Sequence, residues 1–278
     1  LGIKHYVLDY QENFRKYVIN DFIRSYKNGE TPIPCIKCNQ TVKFTDLIQF
    51  TKSVSSKILV TGHYVRRIKK GAEIYLNQAN DNEKDQSYFL FSTTKEQLEF
   101  LRFPLGDFKK LEIRKLAKNF GLENFNKPDS QDICFIPDGN YKNFVKKKSS
   151  TKKGKIINNK NEIIGEHEGI FGFTVGQRKG IGIGGIKGVQ DQSPFYVLEI
   201  NKITNTIKVG SRKDLERYVI YLKDIHLIRS YEKKILNVDI KFRSSQKKIQ
   251  AKINIPKGSR FGTVQLFNPA LGISPGQA

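Results

Sequence analysis

Three features of this 278-residue chain predict its fold class. The first half alternates short apolar runs with amphipathic stretches, the second half switches to period-two alternation, and the positive charge is concentrated in that second half. Alternation of strand and helix implies a parallel sheet covered by helices, with its site at the carboxyl ends of the strands. Period-two patterning implies half-buried antiparallel strands. The expected architecture is therefore α/β + β: a parallel-sheet domain over 1–138, a small β-rich domain over 139–208, and a C-terminal β-barrel over 209–278.

Each element follows from local pattern. Tyr6-Val7-Leu8 reads as a strand, and Phe14, Val18, Phe22 and Tyr26 at fourfold spacing read as an amphipathic helix closing near Asn28-Gly29. Phe44, Leu47, Ile48 and Thr51 predict a second helix. Ile58-Leu59-Val60 predicts a short buried strand that breaks at Gly62, so that Thr61-Gly62-His63-Tyr64 lies at its carboxyl end. Leu98 with Leu101 suggests a further helix. Ile113, Leu116, Ala117 and Phe120 suggest another, with Gly121 in the place just past its end. Beyond residue 139, Lys155–Ile157 and Glu162–Ile164 flank the turn-forming run Asn158–Asn161, and Tyr196–Ile200 pairs with Thr206–Val209 across Asn201–Asn205. Val238–Phe242 and Ile249–Ile255 alternate in the same way.

Composition narrows the function classes. With 38% hydrophobic and 11% aromatic residues the chain can build cores, which excludes disordered and collagen-like classes. Lys and Arg number 49 against 27 Asp and Glu, a net charge of +22. Residues 1–138 hold 22 basic and 17 acidic side chains, whereas 139–278 hold 27 and 10. That asymmetry points to a polyanion, nucleic acid above all, held by the second half. A proteome biased towards Lys, Asn and Ile would explain the total but not the asymmetry. No apolar run is long enough to span a bilayer and no secretory signal pattern is present, so the expectation is a soluble, cytoplasmic protein. The chain has no methionine and opens on Leu1, which reads as a sequence whose start lies further upstream.

The three cysteines are Cys35, Cys38 and Cys134, too few for a disulfide scaffold. Cys35-Ile36-Lys37-Cys38 forms a C-x-x-C pair between Pro32, Pro34 and Asn39. Zinc would need two more ligands that the sequence does not supply at zinc spacing, and a redox dithiol lacks the usual strand–motif–helix setting. A reactive thiolate on a loop just ahead of a helix fits better, with Lys37 or Lys43 lowering its pKa. Ordinary core cysteines are the plain alternative. Cys134 sits where the polar run Asp129-Ser130-Gln131-Asp132 turns into the apolar Ile133-Cys134-Phe135-Ile136, which reads as a loop entering a strand. Two thiols beside loops can pass a sulfur atom as a persulfide. Gly180 to Gly185 formally contains G-x-G-x-x-G, but a strand rather than a helix follows, which argues against a dinucleotide fingerprint. Lys84-Asp85-Gln86-Ser87 reads either as a capped helix entry or as a nucleotide-facing loop.

Taken together, these segments resemble one family, the tRNA-specific 2-thiouridylases. The likeness rests on Thr31–Asn39 with Val42-Lys43-Phe44, on Thr61–Tyr64, on Lys84–Leu90, on Asp129–Ile136, on Phe173–Gly182 and on Ser274–Ala278, in that order along nearly the whole chain. The resemblance implies that 1–138 is the C-terminal part of a PP-loop ATPase domain of the adenine nucleotide alpha hydrolase type. It also implies ATP-dependent 2-thiolation of the wobble uridine of tRNA, through an adenylated uridine and a cysteine persulfide. By similarity Cys38 is the nucleophile and Cys134 the persulfide carrier, with a Cys38–Cys134 disulfide left after transfer. Gly62 would line the ATP site, with Mg2+ accompanying the nucleotide. Ile33, Pro34 and Cys35 would face the target base. His63, Lys84, Asp85, Gln86, Arg243, Ser244 and Gln277 would touch tRNA. Acceptors for Lys, Glu and Gln, and a sulfur donor of the cysteine desulfurase or relay kind, are the implied partners.

Two departures stand out. Some relatives carry Asp where this chain has Cys35 and Asn where it has Ile33, so an acid/base role of that Asp does not transfer. A Ser-Gly-Gly-x-Asp-Ser phosphate loop is not found in these residues, which predicts that this stretch alone does not adenylate uridine. Two competing classes remain: a non-catalytic basic RNA-binding protein with structural cysteines, and a related ligase acting on a small substrate.

Overall fold

The computed structural model describes residues 2–129, 132–148, 152–183, 194–229, 231 and 235–277. The chain divides into two units. The first comprises Leu1–Asp21, Pro34–Gln131 and Leu227–Arg229; the second comprises Phe22–Ile33, Asp132–His226 and Ser230–Ala278.

The N-terminal helix is as expected, though segmented: α1 (Gln11–Phe14), a π-helical turn at Arg15–Ile19, and α2 (Asn20–Lys27). Val18, Phe22, Ile23 and Tyr26 are its buried positions, and Gly29 ends it at a φ of 76°. No strand forms at Tyr6-Val7-Leu8, where Tyr6 and Val7 are 52% and 88% exposed. Apolar character alone cannot make a strand without a neighbour to pair with. The next helix starts earlier than its apolar spacing suggests, as α3 (Pro34–Cys38), a π-helical stretch at Asn39–Asp46, and α4 (Leu47–Ser53).

Strand β1 (Leu59–Val60) runs parallel to β4 (Leu101–Arg102). Among the described residues this is the whole parallel sheet of the first unit. With one neighbour, β1 leaves Val60 54% exposed, contrary to the buried strand expected there. Between them lies a hairpin absent from the sequence expectations, β2 (Val65–Lys70) and β3 (Glu73–Gln78), joined at Gly71 with a φ of 59°. Helix α5 (Lys95–Phe100) opens on a capping box: Gln97 N–H donates to Thr94 Oγ1, and Gln97 Oε1 accepts from Thr94 N–H, both at 3.1 Å. Gln97 Nε2 also donates to the Phe44 carbonyl at 3.1 Å, satisfying an acceptor on the π-helical stretch. Phe44, Ile48, Val65, Ile74, Leu90, Leu98, Leu101 and Phe103 form the core of this unit. Gly106 has no substitute here, because a Cβ would stand 2.0 Å from the Val65 carbonyl oxygen. Helix α6 (Lys110–Asn119) ends at Gly121 with a φ of 67°, as its sequence signalled.

The second unit contributes α7 (Tyr141–Lys147), capped by Asn140 Oδ1, where a β pattern was expected. No strand forms at Phe135-Ile136 either: these side chains leave a turn to fill the core, Phe135 packing edge-on to Phe22 at 5.3 Å. The central sheet has order β6-β5-β8-β7, from β5 (Gly154–Ile157), β6 (Ile163–His167), β7 (Tyr196–Asn201) and β8 (Thr206–Gly210). The two predicted hairpins, β5 with β6 and β7 with β8, are both present, and β5 pairs with β8 in parallel. Ile156, Val197, Ile207 and Val209 are fully buried between them. The last sheet has order β10-β11-β12-β9, from β9 (Glu216–Leu222), β10 (Ile235–Ile240), β11 (Ile249–Asn254) and β12 (Gly262–Leu271). All its pairs are antiparallel, and β10 and β9 stand at its edges, so no closed barrel is formed among the described residues. Gly184 and Gly185 of the glycine run, Ser130 and Gln131 of the Cys134 segment, and terminal Ala278 lie outside the described residues.

Candidate active site

The C-x-x-C pair is helical. Proline at the first helical position has its φ preset and no N–H to satisfy, so Pro34 starts α3 ahead of both cysteines. Cys38 therefore lies inside a continuous helix rather than on a loop before one, which corrects the sequence expectation. The helix dipole acts mainly on the first turn, where Cys35 sits. Pro34 and Ile36 are buried, Cys35 is exposed and Cys38 is half-buried. Of the three residues expected to face a base, Cys35 is the one open to solvent; Ile33 is half-buried. Directly after Cys38, Asn39 is 3% exposed and donates from Nδ2 to the Phe89 carbonyl at 3.1 Å. Its Oδ1 has no partner among the described residues.

That bond joins the cysteine helix to the 3₁₀ turn Ser87–Leu90, which follows the Lys84-Asp85-Gln86 segment. Gln86 clamps Tyr64: its N–H donates to the Tyr64 carbonyl at 2.9 Å, and its Oε1 accepts from Tyr64 N–H at 2.8 Å. Asp85 is held from four sides. Oδ1 accepts from the N–H groups of Ala79 at 3.0 Å and Ser87 at 3.2 Å, and Oδ2 from Gln78 Nε2 at 3.1 Å and Ser87 Oγ at 2.8 Å. A carboxylate offers about four acceptor sites, so Asp85 is spent on holding this turn against β3. Lys84 points instead to Asp129, Nζ to Oδ2 at 3.0 Å, and that hydrogen bond raises the lysine pKa and lowers that of the carboxyl.

His63 shares a 2.9 Å hydrogen bond with Thr61 through Nδ1 and meets the rings of Phe44 and Phe103 edge to face. Burial first, and the Lys43 charge second, push its pKa down to about 4. It is thus neutral near pH 7, so any RNA contact it makes is that of an uncharged imidazole. Gly62 is exposed at the carboxyl end of β1, and a Cβ there would meet Leu105 Cδ1 at 3.8 Å and nothing closer. Such an open backbone ledge beyond a parallel strand suits the nucleoside part of a nucleotide.

In the second unit Cys134 is exposed on the turn anchored by Phe135 and by buried Ile136. No disulfide joins Cys35, Cys38 or Cys134. Arg243 donates from Nη2 to the Gly272 carbonyl at 2.5 Å, and its Nε is buried without a partner among the described residues. Ser244 is exposed, and Gln277 is half-buried with Oε1 unpartnered among the described residues. Sequence reading missed Thr31 as an organiser: its N–H donates to the Pro275 carbonyl at 2.7 Å, and its hydroxyl meets Thr174 Oγ1 at 3.3 Å and Ser274 Oγ at 3.2 Å. It also missed Lys110 and Arg114 beside Asp129, although their spacing of four on α6 placed them on one face.

Three family models tile the chain: a tRNA methyl transferase HUP domain over residues 1–138, a tRNA methyl transferase PRC-barrel domain over 142–211, and an aminomethyltransferase beta-barrel domain over 217–278. They define its class, a tRNA-modifying transferase with a HUP domain followed by two β domains. Among individual relatives, the tRNA-specific 2-thiouridylase MnmA of Anaplasma marginale is 46% identical over 282 residues, covering all of this chain and 71% of the relative. Those of Wolbachia sp. subsp. Drosophila simulans and Rickettsia canadensis are 48% and 47% identical, again over the whole chain and over 74% and 75% of the relatives. The chain belongs to the tRNA-specific 2-thiouridylase family.

Proposed function

We propose that this protein thiolates the wobble uridine of tRNA at carbon 2, with Cys38 and Cys134 as its working thiols. Thiolation of a tRNA uridine at that position is the reaction of the family to which it belongs. The observation that carries the reading is the Asn39–Phe89 hydrogen bond, which ties the Cys38 helix to the turn that follows Lys84 and Gln86. A thiol and the residues proposed to meet RNA thus share one hydrogen-bonded framework within the first unit.

ATP, held at its nucleoside by Gly62 and accompanied by Mg2+, supplies the activation that turns the uridine 2-oxygen into a leaving group. Cys134, exposed on its turn, carries the incoming sulfur as a persulfide received from a donor protein of the cysteine desulfurase or relay kind. The terminal sulfur attacks carbon 2, and the oxygen leaves with AMP. The Cys38 thiolate then attacks the inner sulfur of Cys134, breaking the bond to the transferred sulfur and forming a Cys38–Cys134 disulfide that an external reductant reopens. Residues 1–138 form the PP-loop domain, 139–208 the central β domain and 209–278 a barrel-type domain. Arg243, Ser244 and Gln277 of the last meet tRNAs that accept Lys, Glu or Gln, in the cytoplasm.

Thiolated tRNA is retarded in an organomercury gel, which tests the assignment. Assayed in a form of the protein that carries the family's phosphate loop, Cys38→Ser and Cys134→Ser should each abolish the retarded band while leaving tRNA affinity within about twofold, and Cys35→Ser should keep it. Thiolation surviving either of the first two changes would remove those roles and favour a non-catalytic RNA-binding protein.

A further inference from the structure

Lys84, Lys110 and Arg114 converge on one carboxylate. Asp129 Oδ2 lies 3.0 Å from Lys84 Nζ, and its Oδ1 lies 3.4 Å from Lys110 Nζ and 3.9 Å from Arg114 Nη2. Three cations on one anion leave two positive charges in excess. The four side chains are 29–40% exposed, so the cluster can be reached from solvent. The cations are also held in place beforehand. Lys110 Nζ stands 5.1 Å over the ring of buried Tyr64, and its N–H donates to Asp81 Oδ2 at 2.9 Å. Arg114 Nη2 donates to the Lys127 carbonyl at 3.1 Å.

We propose that Lys84, Lys110 and Arg114 form a phosphodiester site for the tRNA backbone, in which the Asp129 carboxylate is the resident anion that an RNA phosphate displaces. A phosphodiester matches a carboxylate in its single charge and its two free oxygens, so it takes the same donors. It arrives as part of a polyanion whose bound counterions are released, which favours exchange at low salt. The proposal rests on the reading that the protein binds tRNA, and it adds two residues of α6 to the contact. It gives Asp129 a role opposite in sign to that of a structural ion-pair partner, because removing its charge frees the site.

The test is the affinity of the whole chain for an unmodified tRNA transcript with a wobble uridine, measured across a salt series. Asp129→Asn should bind about three to ten times more tightly at low salt, and Asp129→Glu should bind as wild type. Lys110→Gln and Arg114→Gln should each weaken binding by a similar factor, and each should reduce the slope of log K against log salt by about one. Circular dichroism melts identify any variant that fails to fold, and the two α6 variants then decide alone. Unchanged or weaker binding by folded Asp129→Asn, or unaltered salt slopes in the α6 variants, overturns the proposal. Should Lys84→Gln weaken binding while the Lys110 and Arg114 variants do not and Asp129→Asn binds no more tightly than wild type, the tRNA reading stands and this site falls. Absence of tRNA binding by the wild-type chain would remove both.

Discussion

Gln86 and Tyr64 grip each other through two hydrogen bonds in opposite senses, one from the Gln86 backbone at 2.9 Å and one to its side chain at 2.8 Å. A peptide N–H at a buried residue is costly to leave unmet, and here the partner is a side chain rather than a strand. The clamp fixes the segment after His63 against the segment after Lys84. Neither residue has to touch RNA for its loss to be felt.

Replacing Gln86 by Ala strands the Tyr64 N–H. Unfolding in urea should show a loss of about 1–3 kcal/mol. Gln86→Glu, which keeps an acceptor at the same place, should recover most of it. A Gln86→Ala protein of wild-type stability would mean that water replaces the amide oxygen fully.

Acid should weaken the fold through His63. Its folded pKa, about 4, lies below the value of about 6.5 in the unfolded chain. The unfolded chain therefore takes up this proton first as pH falls. The stability involved is fully present above about pH 6.5 and is lost progressively down to about pH 4, in total about 3 kcal/mol. Between pH 7 and 4.5, His63→Gln should lose about 2 kcal/mol less than wild type in paired urea titrations. Equal losses would place His63 in solvent.

Asp85 presents two oxygens to four donors. Asp85→Ala should lower stability by about 2–4 kcal/mol, since it leaves two backbone N–H groups and two side-chain donors unmet. Asp85→Asn should cost less, because the amide keeps one acceptor oxygen. If Asp85→Ala lowered tRNA affinity with no change in thermal midpoint, the side chain would be a direct contact instead of a brace.

Gly176 has a φ of 87°, and a Cβ there would lie 3.1 Å from the Gly272 Cα and 3.6 Å from Arg243 Nη2. Gly176→Ala should therefore cost about 1–3 kcal/mol from backbone strain and this close approach together. It should also weaken tRNA binding if Arg243 works from its present position. Differential scanning calorimetry beside a binding isotherm separates the two effects.

Much of the architecture was legible because residues that bury one face repeat at one period. Phe14, Val18, Phe22 and Tyr26 marked the first helix, and Ile156, Val197, Ile207 and Val209 marked the central sheet. The β2–β3 hairpin escaped notice because Arg67, on a strand that faces the core, has a side chain only 10% exposed. Its Nε donates to the Leu98 carbonyl at 2.6 Å, and an inward arginine of this kind breaks the alternation of apolar and polar residues. Phe135 and Ile136 misled in the opposite way: apolar neighbours in sequence, they pack into the core from a turn.

By itself the sequence determined the first helix, the two hairpins of the central sheet, the excess of positive charge beyond residue 138, and, through quoted runs such as Thr31–Asn39 and Thr61–Tyr64, the family. Those properties depend on residue type and spacing along the chain, which sequence records directly. Only the tertiary structure decided that Cys38 lies within a helix begun by Pro34, that Asp85 meets four donors, that His63 is neutral, and that Asp129 occupies a nest of three cations. Each of these depends on which distant groups arrive within about 3–4 Å and on how much water they displace, and neither is written in local spacing.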